Sequence, residues 1–156
     1  NFYEEVVNQA TQARRLGYEG KFIGSDTWGD SSILEADTEN LLDGAAWVGH
    51  YHVDIATQQA LDFIDAYKEK YGTDKVPNDI VALNYDTVYL LKQALENGGR
   101  VDREAVREGL VDIDSFEGVT GTLEYAPDED PGSPTKTAVM IQIKDGEFEF
   151  LSVEEP

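Results

Sequence analysis

Asp26 and Trp28 stand two residues apart in the polar stretch Ser25-Asp26-Thr27-Trp28-Gly29-Asp30, directly after the apolar run Phe22-Ile23. A carboxylate at the end of a buried strand can hold a ligand ammonium through a charge-assisted hydrogen bond. An indole beside it can wall an apolar pocket. The same two residues can equally form an Asx-type turn next to a tryptophan that covers a sheet edge. Phe2 and Tyr3 precede the first helix, and a strand ending there would bring both to the same rim as Asp26. Taken alone, the two aromatics also suit a hydrophobic staple at a helix start.

Catalytic and metal chemistry finds much less. His50 and His52 lie two apart at a strand end and share a face, with Asp54 as the nearest further ligand for zinc, which needs more. One surface and one partly buried imidazole account for them as well. No Gly-x-Ser-x-Gly elbow, dinucleotide fingerprint or Walker loop occurs. Carboxylates are too numerous for a glycosidase pair to stand out. Asp128-Glu129-Asp130 fails the spacing of a calcium loop. These absences leave no catalytic residue, metal or cofactor to nominate.

Composition narrows the partners. The 156 residues carry 12 Lys and Arg against 32 Asp and Glu, a formal net charge of -20. Nucleic acid and anionic membrane surfaces both require cationic contacts that this chain lacks. Such acidity keeps a surface solvated, and it also suits a saline habitat, where screening weakens self-repulsion. Cysteine is absent, so no disulfide or thiolate site exists in this stretch. The opening Asn1-Phe2-Tyr3-Glu4-Glu5 lacks the basic-then-apolar order of a signal peptide, as a mature or trimmed chain would.

The elements that must position these residues follow an α/β pattern. Glu4 and Glu5 suit a helix N-terminus, Arg14 and Arg15 its C-terminus, and Gly17 its end. Lys21–Gly24 reads as a short buried strand whose C-terminal end opens into the Asp26 loop, where such sheets usually receive ligands. A short helix over 31–37, a strand over 45–51 and a connector over 53–57 follow. Residues 58–71 make an amphipathic helix with Ala60, Ile64, Tyr67 and Tyr71 on one side. A second long helix over 80–97 carries Val81, Tyr85, Val88, Leu91 and Leu95 as its apolar stripe. Asp102 caps a shorter helix to about Leu110. From Phe116 the chain reads as strands: 121–125, 137–144 and 147–152, the last two joined at Asp145-Gly146 by a type I′ turn. An exposed loop over 127–134 holds three prolines and three acids. Only two strands precede residue 100, too few to cover the helices. The chain is therefore expected to complete its sheets with a missing N-terminal segment or a companion chain.

Several pieces, in their order and spacing, resemble the type I periplasmic binding proteins of the leucine/isoleucine/valine-binding family. They are Gln12-Ala13-Arg14 with Gly17, Phe22-Ile23-Gly24, Ala66-Tyr67-Lys68 with Tyr71-Gly72, Tyr85-Asp86-Thr87-Val88-Tyr89, Phe116-Glu117-Gly118-Val119-Thr120-Gly121 and Lys144-Asp145-Gly146. The likeness implies Rossmann-like three-layer α/β lobes, incomplete here, with antiparallel strands at the C-terminus. It implies that residues 1–52 belong to the second lobe, 53–115 to the helical part of the first, and 116–156 to strands that return to complete the lobes. It also implies non-catalytic capture of a small solute, a branched-chain or other amino acid, for the permease of an ABC transporter. The setting would be periplasmic or extracellular, with lipid anchoring through a missing N-terminus as one mode. In such proteins an aromatic before this first helix packs on the ligand, and Phe2 matches it best, with Tyr3 adjacent. An acid after the second strand holds the α-ammonium, and Asp26 occupies that place, where glutamate is frequent. Trp28 joins the set from the loop argument alone. The same fold also serves ligand-sensing receptor domains for amides, urea or amino acids.

Overall fold

The computed structural model describes residues 3–125 and 134–155. Phe2 and nearly all of the proline-bearing loop expected at 127–134 lie outside the described residues.

The first helix, α1 (Tyr3–Arg15), has Glu4 and Glu5 in its first turn and Arg14 and Arg15 in its last, the polarity that the helix dipole favours. Val6 and Ala10, four residues apart, form its buried stripe. The Arg14 guanidinium then ties down the following turn by donating to the carbonyls of Tyr18, Gly20 and Leu41. That turn delivers the chain into β1 (Ile23–Gly24), followed by a 3-10 turn, Asp26–Trp28, and the short helix α2 (Ser32–Ala36). Strand β2 (Ala46–Gly49) runs parallel to β1, with Ile23 opposite Ala46.

The rest of this sheet comes from the far end of the sequence. Strand β5 (Ala138–Lys144) pairs antiparallel with β2, placing Ile141 opposite Trp47, and β6 (Glu147–Glu154) pairs with β5. The order across the sheet is β1-β2-β5-β6. Asp145 and Gly146 both take positive φ, 52° and 79°, as the two-residue type I′ turn requires. Trp47, Val139, Ile141 and Ile143 point from one face into a core shared with Val6, Ala10, Trp28, Ile33 and Leu42. The strand shortage before residue 100 is thus met in part by the chain's own C-terminal hairpin.

Between β2 and β5 the chain builds α3 (Gln58–Tyr71), α4 (Asp79–Gly98), α5 (Arg103–Val111) and the two-stranded ribbon of β3 (Ser115–Gly118) and β4 (Gly121–Glu124). Each helix is capped by the side chain before it. Thr57 accepts from the Ala60 amide, Asn78 from Val81, and Asp102 from Ala105 at 2.8 Å. These elements form their own two cores, one around Tyr51, Ala60, Phe63, Ile64, Ala82 and Val119, the other around Ala94, Ile113 and Phe116.

Helix α4 corrects the face expected from its sequence. Of the stripe Val81, Tyr85, Val88, Leu91 and Leu95, Val88 is 65% and Leu91 45% exposed. The buried residues are instead Asp79, Ala82, Asp86 and Ala94. Large apolar side chains mark the face with the most greasy area. The face that packs within this chain is the one with small residues, which let neighbouring backbone come close, and with an acid that has donors waiting for it. Asp86 accepts hydrogen bonds from the Val119 amide at 2.7 Å, the Thr120 amide at 2.9 Å and the Thr120 hydroxyl. It thereby clamps the turn between β3 and β4 onto the middle of α4.

Candidate binding site

At the carboxyl end of β2 the chain leaves the sheet through His50, Tyr51 and His52, and it meets α4 there. Asp79 is the first residue of α4, behind the Asn78 cap, and is only 3% exposed. Its Oδ1 accepts the His50 amide at 3.0 Å, so one carboxylate joins the end of the sheet to the start of the long helix.

The same junction borders an open cavity of about 590 Å³, lined among others by Gly29, Trp47, Tyr51, His52, Asp79 and Phe148. Trp47 meets Phe148 edge-on, ring centres 5.4 Å apart, and the two aromatics give the cavity an apolar wall. Three buried side-chain atoms lack a hydrogen-bond partner among the described residues: Trp47 Nε1, Tyr51 Oη and Asp79 Oδ2. All three belong to residues that line this cavity. An unsatisfied buried polar group costs about 1–3 kcal/mol, so three around one space is a concentration of unmet hydrogen-bonding capacity.

Electrostatics follows from this burial. The Asp79 carboxyl is raised above its ordinary value of 3.8, first because burial disfavours the anion and further by the charge of Asp26. The His50 amide bond, His50 itself and Lys136 oppose the rise. The Tyr51 phenol is pushed up to about 12, by burial and then by the nearby Asp79 charge. Lys136, which donates to the Thr120 carbonyl, is lowered by burial, with Asp86 and Asp79 pulling the other way.

A raised carboxyl means that the folded chain binds more protons than the unfolded chain at pH values above about 3.8. Stability drawn from this group therefore falls as pH rises through that window and stays lower at neutrality. Asp79→Asn keeps an acceptor for His50 and removes the buried charge. It is expected to raise stability at pH 7 by about 1 kcal/mol, with the gain vanishing towards pH 3. Thermal melts of the pair at both pH values check the sign.

The residues expected to form a site are arranged as follows. Tyr3 opens α1, half-buried against the sheet core. Asp26 opens the 3-10 turn and is half-buried, and its charge reaches Asp79. Trp28 closes that turn, 8% exposed within the core. Its indole lies over Gly24, where any Cβ would overlap the ring. None of the three lines the cavity, although Gly29, the next residue along, does. Phe2 lies outside the described residues. His52 accepts the Asp54 amide at 3.2 Å, capping a 3-10 turn over Val53–Ile55. Among the described residues no three His, Cys, Asp or Glu side chains gather as metal ligands, and no helix is long and apolar enough to cross a membrane.

Sequence reasoning missed Trp47, Tyr51 and Asp79 as a group. Asp79 was readable only as a first-turn acid behind an Asn cap, and nothing local says that such an acid is buried.

Residues 1–147 match the family model described as periplasmic binding protein. No curated protein matches the chain. Among solved structures it is similar to a leucine-binding protein, LivK, of Thermotoga maritima, at 30% identity and a TM-score of 0.86, covering 100% of this chain and 43% of that one. It is similar also to the branched-chain amino acid transporter substrate-binding protein LivJ of Streptococcus pneumoniae in complex with isoleucine, at 25% identity and a TM-score of 0.80, covering 100% and 42%. A solute-binding protein from R. palustris in complex with benzoate shares the fold at 16% identity and a TM-score of 0.72, covering 96% and 40%. The chain spans less than half the length of these relatives. With nearly all of its residues inside the family model, and with mixed sheet, flanking helices and closing hairpin all in that fold, the chain belongs to the periplasmic binding protein family, of type I architecture.

Proposed function

We propose that this chain forms the ligand-facing part of an extracytoplasmic solute-binding protein, which captures an amino acid or similar small solute for the permease of an ABC transporter. The observation that carries this reading is the junction itself. An acid, Asp26, follows the carboxyl end of β1, and Tyr51 and His52, beyond the carboxyl end of β2, border an aromatic-walled cavity of about 590 Å³ that reaches across the sheet to Lys144 and Glu147. Open α/β sheets receive their ligands beyond the carboxyl ends of their strands. The likeness to leucine- and isoleucine-binding relatives supports an amino acid as the solute class.

Capture in this reading is not catalytic. Phe2 and Tyr3 supply apolar surface beside the solute, Asp26 holds its ammonium, and Trp28 stiffens the turn that aims Asp26. Closure of two lobes then excludes water. Residues 1–52 belong to one lobe and 53–115 to the helical part of the other, with 116–156 returning between them. The separate cores of the sheet and of the helices are consistent with this division.

Calorimetric titration of the full-length protein with leucine, isoleucine, valine and a panel of other amino acids, amides and urea tests the reading. Saturable binding of one member is expected. Asp26→Ala is expected to weaken it more than tenfold, over ~1.4 kcal/mol, as for a lost charged hydrogen bond. Unchanged affinity in that variant would remove Asp26 from the site.

A further inference from the structure

Helix α4 has a second apolar face. Val88 follows Asp79, and Leu91 follows Ala82, by about two and a half helical turns, so each lies opposite a residue that is buried in this chain. Ile80, Tyr85, Val88 and Leu91 make this outer face and are all exposed. Past the end of the helix it continues to Val101, 91% exposed, across a shallow groove of about 600 Å³. The polar side chains beside the stripe turn back on their own helix. Asn84 Nδ2 donates to the Ile80 carbonyl and the Thr87 hydroxyl to the Leu83 carbonyl, both at 2.8 Å. Between Ile80 and Leu91 the one acid is Asp86, which is committed to the β3–β4 turn on the inner side. Other helices of this acidic chain show their carboxylates to water: Asp62, Asp65 and Glu69 on α3, Glu104 and Glu108 on α5. A helix that is apolar on both sides belongs inside a larger body, and a face whose polar groups are already satisfied can be covered without leaving them unpaired.

We propose that the outer face of α4, continued by Val101, is an internal interface of the full-length protein, covered by the part of the polypeptide outside these 156 residues. Two observations favour that occupant over a second copy or a permease. The chain accounts for 43% of the LivK relative that it matches over its whole length, so a protein of that size holds ample further chain to cover the stripe. The helical part also has little core of its own: its two clusters contain six and three buried residues, while Val88, Leu91 and Val101 stay outside both. A body of so few buried residues is marginal alone and gains a core when this face is covered. The inference is independent of which solute is captured.

Thiol labelling of the full-length protein tests the proposal, since this stretch has no cysteine of its own. The thiol introduced by Val88→Cys is followed by mass spectrometry of the peptide that carries it, with Asp65→Cys on α3 as the exposed control. Val88→Cys is expected to label at least roughly a hundredfold more slowly in the native monomer than in denaturant, because labelling must wait for opening of the structure. Asp65→Cys should label at close to its unfolded rate. A cooperative melt checks that the variant is folded, and Leu91→Cys, from the same face, takes its place if it is not. Labelling at near the unfolded rate in a folded variant would overturn the proposal and leave the face open to a partner such as the permease. Protection that is present in a dimer and lost on dilution to the monomer would overturn it in favour of a second copy.

Discussion

Asp86→Ala is expected to destabilise the chain by about 3–5 kcal/mol, the range found when one member of a buried charged network is removed. Asp86 is 6% exposed and accepts three hydrogen bonds, two from consecutive amides and one from a hydroxyl. The alanine variant leaves the Val119 and Thr120 donors buried without an acceptor. It also removes the charge that faces half-buried Lys136. Gly118 lies so close that a Cβ there would overlap the Asp86 carboxylate, so the alanine variant also leaves a gap against this turn. For a chain of this length each kcal/mol shifts the melting temperature by roughly 2–4 °C, so a fall of about 10 °C is expected. Asp86→Asn retains one acceptor oxygen but turns an amide group towards the other donors, and should fall between. A melting temperature within a few degrees of the parent's in the alanine variant would show that the clamp contributes little.

Gly109→Ala should also destabilise, by about 2 kcal/mol net, although helix propensity predicts the opposite. Alanine is favoured over glycine in a helix interior by about 1 kcal/mol, and Gly109 lies within α5. Yet a Cβ on Gly109 would overlap the carbonyl of Ala94, and one on Gly98 would overlap the carbonyl of Ala105. The obstacle in each case is helix backbone, which cannot rotate away as a side chain could. Both helices would have to separate along a contact where Ala94 and Ala105 are fully buried. Overpacking of this kind costs about 1–3 kcal/mol and more where nothing yields, which outweighs the propensity gain. Chemical denaturation of the single variant decides the sign. A stabilised Gly109→Ala protein would mean that the two helices are further apart than described.

Legibility in the sequence followed the range of the interaction. Helix α3 occupies Gln58–Tyr71, as its periodicity and the terminal Gly72 predict. Asp102 caps α5, and Asp145-Gly146 makes the expected turn, because caps and tight turns depend on dihedral preferences within a few residues. The candidate site was legible in the same local sense: an acid and a tryptophan in the loop after a short strand were visible as types. Their placement was not. That the Trp28 indole lies over Gly24 inside the core depends on tertiary packing. Nothing local sets the burial of Asp79 and Asp86 apart in a chain with 32 Asp and Glu.

The order and ends of most elements and the scarcity of cationic side chains were legible from composition, periodicity and neighbours in the chain. The class of fold drew also on the family likeness, which rests on several short motifs in their order and spacing. Tertiary contacts, by contrast, set the hairpin after residue 137 into the sheet begun at residue 23, and made α4 bury its acids and alanines rather than Val88 and Leu91. They also brought Trp47, Tyr51 and Asp79 to the border of one cavity. A carboxylate is stable in the interior only if donors or a countercharge meet it there. For Asp79 the donor is the His50 amide, 29 residues away, and for Asp86 they are the Val119 and Thr120 groups, 33 and 34 residues away, distances that no local pattern in the chain can encode.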